Sequence, residues 1–159
     1  MRLETRRMAF RAVATGNTLA GIAVPYNDFS RVLHDRARPY KERFERGAMK
    51  PSDETVMLYG HDDSGVPLAR VGAGSLRFEQ ADEGLRFAVE LPESRADIRE
   101  ALGRGDLTGA VSVGFYVNPD GDEWQTRTNP SIRTVRSADL YELSIVRVGA
   151  YERASGIYQ

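Results

Sequence analysis

Three side chains in this chain of 159 residues could together turn a hydroxyl into a nucleophile: Ser112, His61 and Glu142. A serine hydroxyl attacks poorly until something takes its proton, and an imidazole, whose ordinary pKa is near neutrality, is suited to do so. A carboxylate beside the imidazole fixes its tautomer and stabilises its charged form. Positioned proton transfer of this kind contributes roughly 10²–10⁴-fold in rate. The three residues lie far apart in sequence, so the fold has to bring them together.

Ser112 lies in "GAVSVGF" (109–115). Alternate residues of a strand share a face. Val111, Val113, Phe115 and Val117 therefore form an apolar face, and Ala110, Ser112, Gly114 and Tyr116 form the other. Ser112 is flanked on its own side by alanine and glycine, which predicts an open trough wide enough for another backbone to approach. A solvent-facing serine on a half-exposed strand is the alternative. In "DLYELSIVRV" (139–148), alternation sets Tyr141, Leu143 and Ile145 against Leu140, Glu142, Ser144 and Val146. A carboxylate between apolar neighbours is unusual unless a partner uses it; a surface ion pair is the bland explanation. His61 follows Gly60 at the end of the apolar run "TVMLYG" (55–60), where side chains project from a sheet edge or barrel mouth. The other histidine, His34, has no apolar framework around it and is expected in solvent.

Several elements must position these residues. "MAFRAVA" (8–14) and "TLAGIAV" (18–24) flank a Gly16-Asn17 turn, a hairpin signature. Residues 25–50 are polar with weak periodicity, which predicts a long loop with one or two short elements. Further strands are predicted at 55–60, 67–72, 75–80, 84–91, 108–118, 123–128, 131–136 and 139–148, separated by Gly and Asp turns. One helix is predicted in 92–106, opening at Pro92 with a cap at Ser94 and stopping at Gly103 or Gly105. The expected architecture is a single α+β domain over 1–159, with a mostly antiparallel, barrel-like β core and a peripheral helix. The tail 152–159 shows no strong pattern.

Composition narrows the function. The net charge of −1 gives no overall field favouring nucleic acid, and no aromatic-and-basic stripe is present. Trp124 sits beside two acids and reads as a packing residue or a pocket wall. The cations are twenty Arg and two Lys, with Arg interspersed among acids, which fits coding bias better than a binding patch. With no cysteine there are no disulfides and no thiolate metal sites. Neither a membrane-length apolar run nor the apolar region of a secretory signal is visible.

The order of these motifs resembles the prohead serine proteases of tailed bacteriophages, capsid maturation proteases distantly similar to the herpesvirus assemblins. The similarity runs over about residues 18–151. It is carried by "GIAVPYN" (21–27), "ERFERGAM" (42–49), "LYGHDDSGVPLARVG" (58–72), "EGLRFAVEL" (83–91), "ALGRGDLTGAVSVGF" (101–115) and "DLYELSIVRVGAY" (139–151). By position, the resemblance implies Ser112 as nucleophile, His61 as base and Glu142 as third member, where assemblins use a second histidine. Arg147, with Arg136 nearly as eligible, and Gly114 are its candidate oxyanion or substrate residues. The chain departs from the family after the late strand, reading "VGAY" where a Pro-Ala pair is usual.

The resemblance further implies an endopeptidase that needs no cofactor or metal and acts inside the immature capsid in the host cytoplasm. Its partners would be the major capsid protein with its scaffolding segment, and the protease itself, by autoproteolysis in a homo-oligomer. No nucleic acid or membrane partner is implied. The competing expectation is a β-rich capsid assembly protein of the same fold without activity.

Overall fold

The computed structural model describes residues 1–147. In chain order the strands are β1 (Glu4–Arg11), β2 (Val13–Thr15), β3 (Thr18–Pro25), β4 (Leu33–His34), β5 (Pro39–Phe44), β6 (Met49–Lys50) and β7 (Val56–Tyr59). They continue as β8 (Ala69–Arg70), β9 (Leu76–Gln80) and β10 (Gly84–Glu90). After the helix α1 (Ala96–Arg104) come β11 (Ala110–Val117), β12 (Asp122–Gln125), β13 (Ser131–Val135) and β14 (Ala138–Ile145).

The first sheet runs β1-β11-β14-β7-β8, with β6 also paired to β14. The second runs β2-β3-β10-β9 and the third β12-β13-β5-β4. Most pairs are antiparallel, but β6 and β7 run parallel to β14, and β13 runs parallel to β5. The class is therefore α+β, mostly strand with one short helix. The expected barrel is not found: among the described residues the strands form three open sheets, and the first ends on the two-residue β8.

One apolar core joins these sheets. Val113, Phe115, Leu143, Ile145 and Met57 of the first sheet meet Leu19, Val24, Leu85 and Phe87 of the second and Phe44 of the third. Phe115 is fully buried and meets Phe44 edge-on, with ring centroids 5.4 Å apart. Burying a side chain of this kind contributes about 1.5–3 kcal/mol. The helix is a small lid on this core, burying Ile98. Its predicted cap fails: Ser94 lies in a 3-10 turn (Glu93–Arg95), and the helix begins after Arg95 with no side-chain cap. Its end is at Gly105, in the left-handed conformation that glycine adopts without penalty.

Two expectations need correction. Residues 25–50 hold three short strands, β4, β5 and β6, where one or two short elements were expected. On β5, Tyr40, Glu42 and Phe44 point inward and Lys41 outward. A carboxylate at an inward position hid the alternation. Strand β14 also breaks its own alternation. Gly114 pairs with Glu142 but Phe115 with Leu140, so Tyr141 is an extra residue in a β-bulge. Leu140 thereby joins the apolar face of Phe115, and Tyr141 meets Tyr116 edge-on at 5.9 Å.

Glu42 is enclosed because cations surround it. Arg6 Nε donates to its Oε1 at 2.8 Å, and Arg133 Nη1 donates to its Oε2 at 3.0 Å. Arg133 also donates to Glu4 at 2.7 Å and to Asp122 at 2.8 Å. Trp124 packs here against Tyr40, with Arg133 over its ring, and also lines a cavity with His34, Tyr40 and Arg133, so it is both a packing residue and a cavity wall. Burial alone would raise the Glu4 carboxyl, but the hydrogen bond and charge of Arg133, with Arg6, hold it below its ordinary value. Burial alone would lower Arg133, and Glu4, Glu42 and Asp122 reverse that. This cluster ties β1 to β5 and β13, and so fixes the strand beside Ser112.

Candidate active site

The strand register sets the site. On β11 and β14, Ser112 lies opposite Ser144 and Gly114 opposite Glu142. Directly paired residues project to the same face, about 4.5–5.5 Å apart at Cβ. Ser112, Ser144 and Glu142 thus share one face of the first sheet, away from the apolar core. The parallel pairing of β14 with β7 continues the Ser144 row to Leu58, and the chain runs from there to His61.

His61 reaches this face through a reversal of the chain. Gly60 and His61 are both left-handed, with φ of 62° and 63°. For histidine that conformation is sparsely populated, the kind of local strain that the surrounding structure must hold in place. Two backbone contacts hold it: Gly60 N–H donates to the carbonyl of Ile145 at 2.8 Å, and His61 N–H donates to Ser144 Oγ at 3.0 Å. The imidazole Nδ1 is hydrogen-bonded to Glu142 Oε1. Glu142, 2% exposed, uses its other oxygen to accept the Ser144 hydroxyl at 2.6 Å. A carboxylate only accepts, so Nδ1 carries the hydrogen of its contact, and the neutral ring keeps its lone pair on Nε2. The neighbouring Asp62 turns to Ser64 instead, whose hydrogen bonds hold its carboxyl below the ordinary value.

Ser112 is enclosed, at 1% exposed, and its Oγ has no hydrogen-bond partner among the described residues. The structure therefore joins His61 to Glu142 directly and places Ser112 on their face, without a hydrogen bond between Ser112 and His61. Gly114 is accounted for differently from expectation. A Cβ there would lie 2.6 Å from Glu142 Oε1, so the predicted trough is filled by the carboxylate. Addition of a substrate strand to β11 is not open in this arrangement, because β1 pairs with one of its edges and β14 with the other.

Arg147 is exposed at the end of β14, with its carbonyl accepting from Arg7 Nη1 at 2.8 Å. Arg136 is engaged elsewhere, by Glu45 at 3.2 Å and Glu123 at 2.6 Å. His34 is exposed, as expected. The expected tail 152–159 and the "GAY" turn (149–151) lie outside the described residues. Among the described residues, no cluster of three or more His, Cys, Asp or Glu could hold a metal ion, and no helix is long and apolar enough to cross a membrane.

Sequence reasoning assigned no role to Ser144. The signal was present in the spacing: two residues after Glu142, it had to share that carboxylate's face.

The site thus holds an imidazole hydrogen-bonded to a buried carboxylate and, on that carboxylate's face of the sheet, a serine without a hydrogen-bond partner among the described residues. A family model described as caudovirus prohead serine protease matches residues 3–157, nearly the whole chain, and the protein belongs to that family. The searches of the curated proteins and of the solved structures returned no match.

Proposed function

We propose that this prohead serine protease works through Ser112 as nucleophile, His61 as general base and Glu142 as the group that orients the base. In the first half-reaction the Ser112 hydroxyl proton passes to His61 Nε2 as Oγ bonds to the scissile carbonyl carbon. The C–N bond then breaks, and the leaving amine takes that proton. Water, deprotonated by the same imidazole, next hydrolyses the acyl-enzyme and returns Ser112 to its starting state. The supporting observation is the contrast between the two serines on this face. Ser144 has its hydrogen committed to Glu142 and one lone pair to His61 N–H, whereas Ser112 Oγ has no hydrogen-bond partner among the described residues.

Arg147 is the candidate cation for the developing oxyanion, since its guanidinium has no ion-pair partner among the described residues while Arg136 has two. The proposed substrate is the scaffolding segment of the phage major capsid protein, with self-cleavage in an oligomer, inside the immature capsid in the host cell and before DNA is packaged.

A fluorophosphonate probe tests this reading: Oγ–P forms, P–F breaks and fluoride leaves. Labelling of the purified chain, and of the chain co-assembled with capsid protein, should map to Ser112 and vanish in Ser112→Ala. Absence of labelling and of capsid cleavage in both preparations would establish the inactive assembly-protein reading instead.

A further inference from the structure

We infer that Ser144 is a positioning residue of this site, a single hydroxyl that clamps the acid and the base together. The inference rests on the Ser112–His61–Glu142 reading and goes beyond it.

Ser144 is completely buried and its hydroxyl makes two contacts with two different members of the site. Its hydrogen goes to Glu142 Oε2 at 2.6 Å. Its oxygen accepts the backbone N–H of His61 at 3.0 Å. The first contact matters because a carboxylate held on one oxygen only could rotate about its last torsion, a broad and soft one. With Oε2 pinned by Ser144, Oε1 is held where Nδ1 of His61 meets it. The second contact matters because His61 is left-handed, at φ 63°. A donor at His61 N–H that lost its buried acceptor would be unsatisfied, at a cost comparable to a lost hydrogen bond. Ser144 therefore supports the strained backbone that aims the ring and the carboxylate that holds the ring.

Its position in the register suits the task. Ser144 sits on β14 between Ser112 on β11 and Leu58 on β7. It is thus the link in the sheet between the strand of the nucleophile and the strand leading to the base. Ser144 gives its hydrogen to the acid and not to the base, the placement of a support for that pair and not of the nucleophile.

The test compares Ser144→Thr with Ser144→Val, which have the same shape and differ in the hydroxyl, alongside Ser144→Ala. The readouts are the rate of fluorophosphonate labelling at Ser112 and the kcat and KM of capsid-protein cleavage. Ser144→Val should label at least about tenfold more slowly than Ser144→Thr, through kcat and not KM, in line with the range for positioned proton transfer. In a Glu142→Gln background the same exchange should have a smaller effect, because one of the two contacts of the hydroxyl acts through that carboxylate; a purely structural loss would add in full. Equal rates for the Thr and Val variants, or full additivity with Glu142→Gln, would overturn the inference while leaving Ser112 as nucleophile. A probe adduct mapped to Ser144, with labelling kept in Ser112→Ala, would overturn both the inference and the parent reading. Should Ser144→Ala fail to fold, the Thr and Val pair still decides the question.

Discussion

The absent side chain of Gly114 is occupied by Glu142: a Cβ at position 114 would lie 2.6 Å from Oε1 and 3.0 Å from Cγ of that residue. The carboxylate that meets His61 can reach its place only because its cross-strand partner is glycine. The crowding atoms belong to a side chain that can swing, so an added methyl displaces the carboxylate more easily than it disrupts the strand.

Gly114→Ala should therefore fold, with a lowered melting temperature because the buried carboxylate gives up its partners, and lose activity by roughly the 10²-fold expected when a base is no longer held. Probe labelling at Ser112 and a thermal melt on the same preparation check this. Unchanged labelling would show that Glu142 is not needed where it stands.

The ion cluster gives stability a dependence on acid. Glu4 has a folded pKa held below its ordinary 4.5. Its contribution is fully present above that value and is lost as the pH falls through the folded pKa. Chemical denaturation between pH 7 and pH 3 should show stability falling below about pH 4.5. Glu4→Gln should be less stable at pH 7 and lose less on acidification. An identical slope in the two proteins would remove Glu4 from the cluster's energetics.

Phe115 is buried against Phe44, with Arg6 over its ring at 5.5 Å. Phe115→Ala should destabilise the fold by about 3–5 kcal/mol, the usual range for emptying such a site. Equilibrium denaturation measures it. A loss under about 1 kcal/mol would mean the sheets re-close over the gap.

Much of this arrangement was legible in the sequence because it follows from period-two alternation. The pattern in 110–117 put Ser112 and Gly114 on one face and Phe115 on the other, and the register agrees. Glu142 stood out as a carboxylate among apolar neighbours, and its partner is indeed the histidine beyond Gly60. What escaped has identifiable causes. The bulge at Tyr141 inserts a residue, and alternation alone cannot report an insertion in one strand of a pair. Strand β5 was hidden because its inward residue Glu42 is ionic, and its enclosure depends on Arg6 and Arg133, 36 and 91 positions away. The trough beside Ser112 was inferred from small residues on β11, but what fills it comes from β14.

The place of β14 between β11 and β7 sets a constraint on timing. On a nascent polypeptide that has emerged as far as residue 137, Ser112 and His61 are both already made. The acid, the clamping hydroxyl and the strand that separates the other two are still to come. Under the reading proposed above, synthesis itself keeps the protease silent until residues 138–145 leave the ribosome. On that reading the chain cannot cut a capsid-protein target before β14 is made.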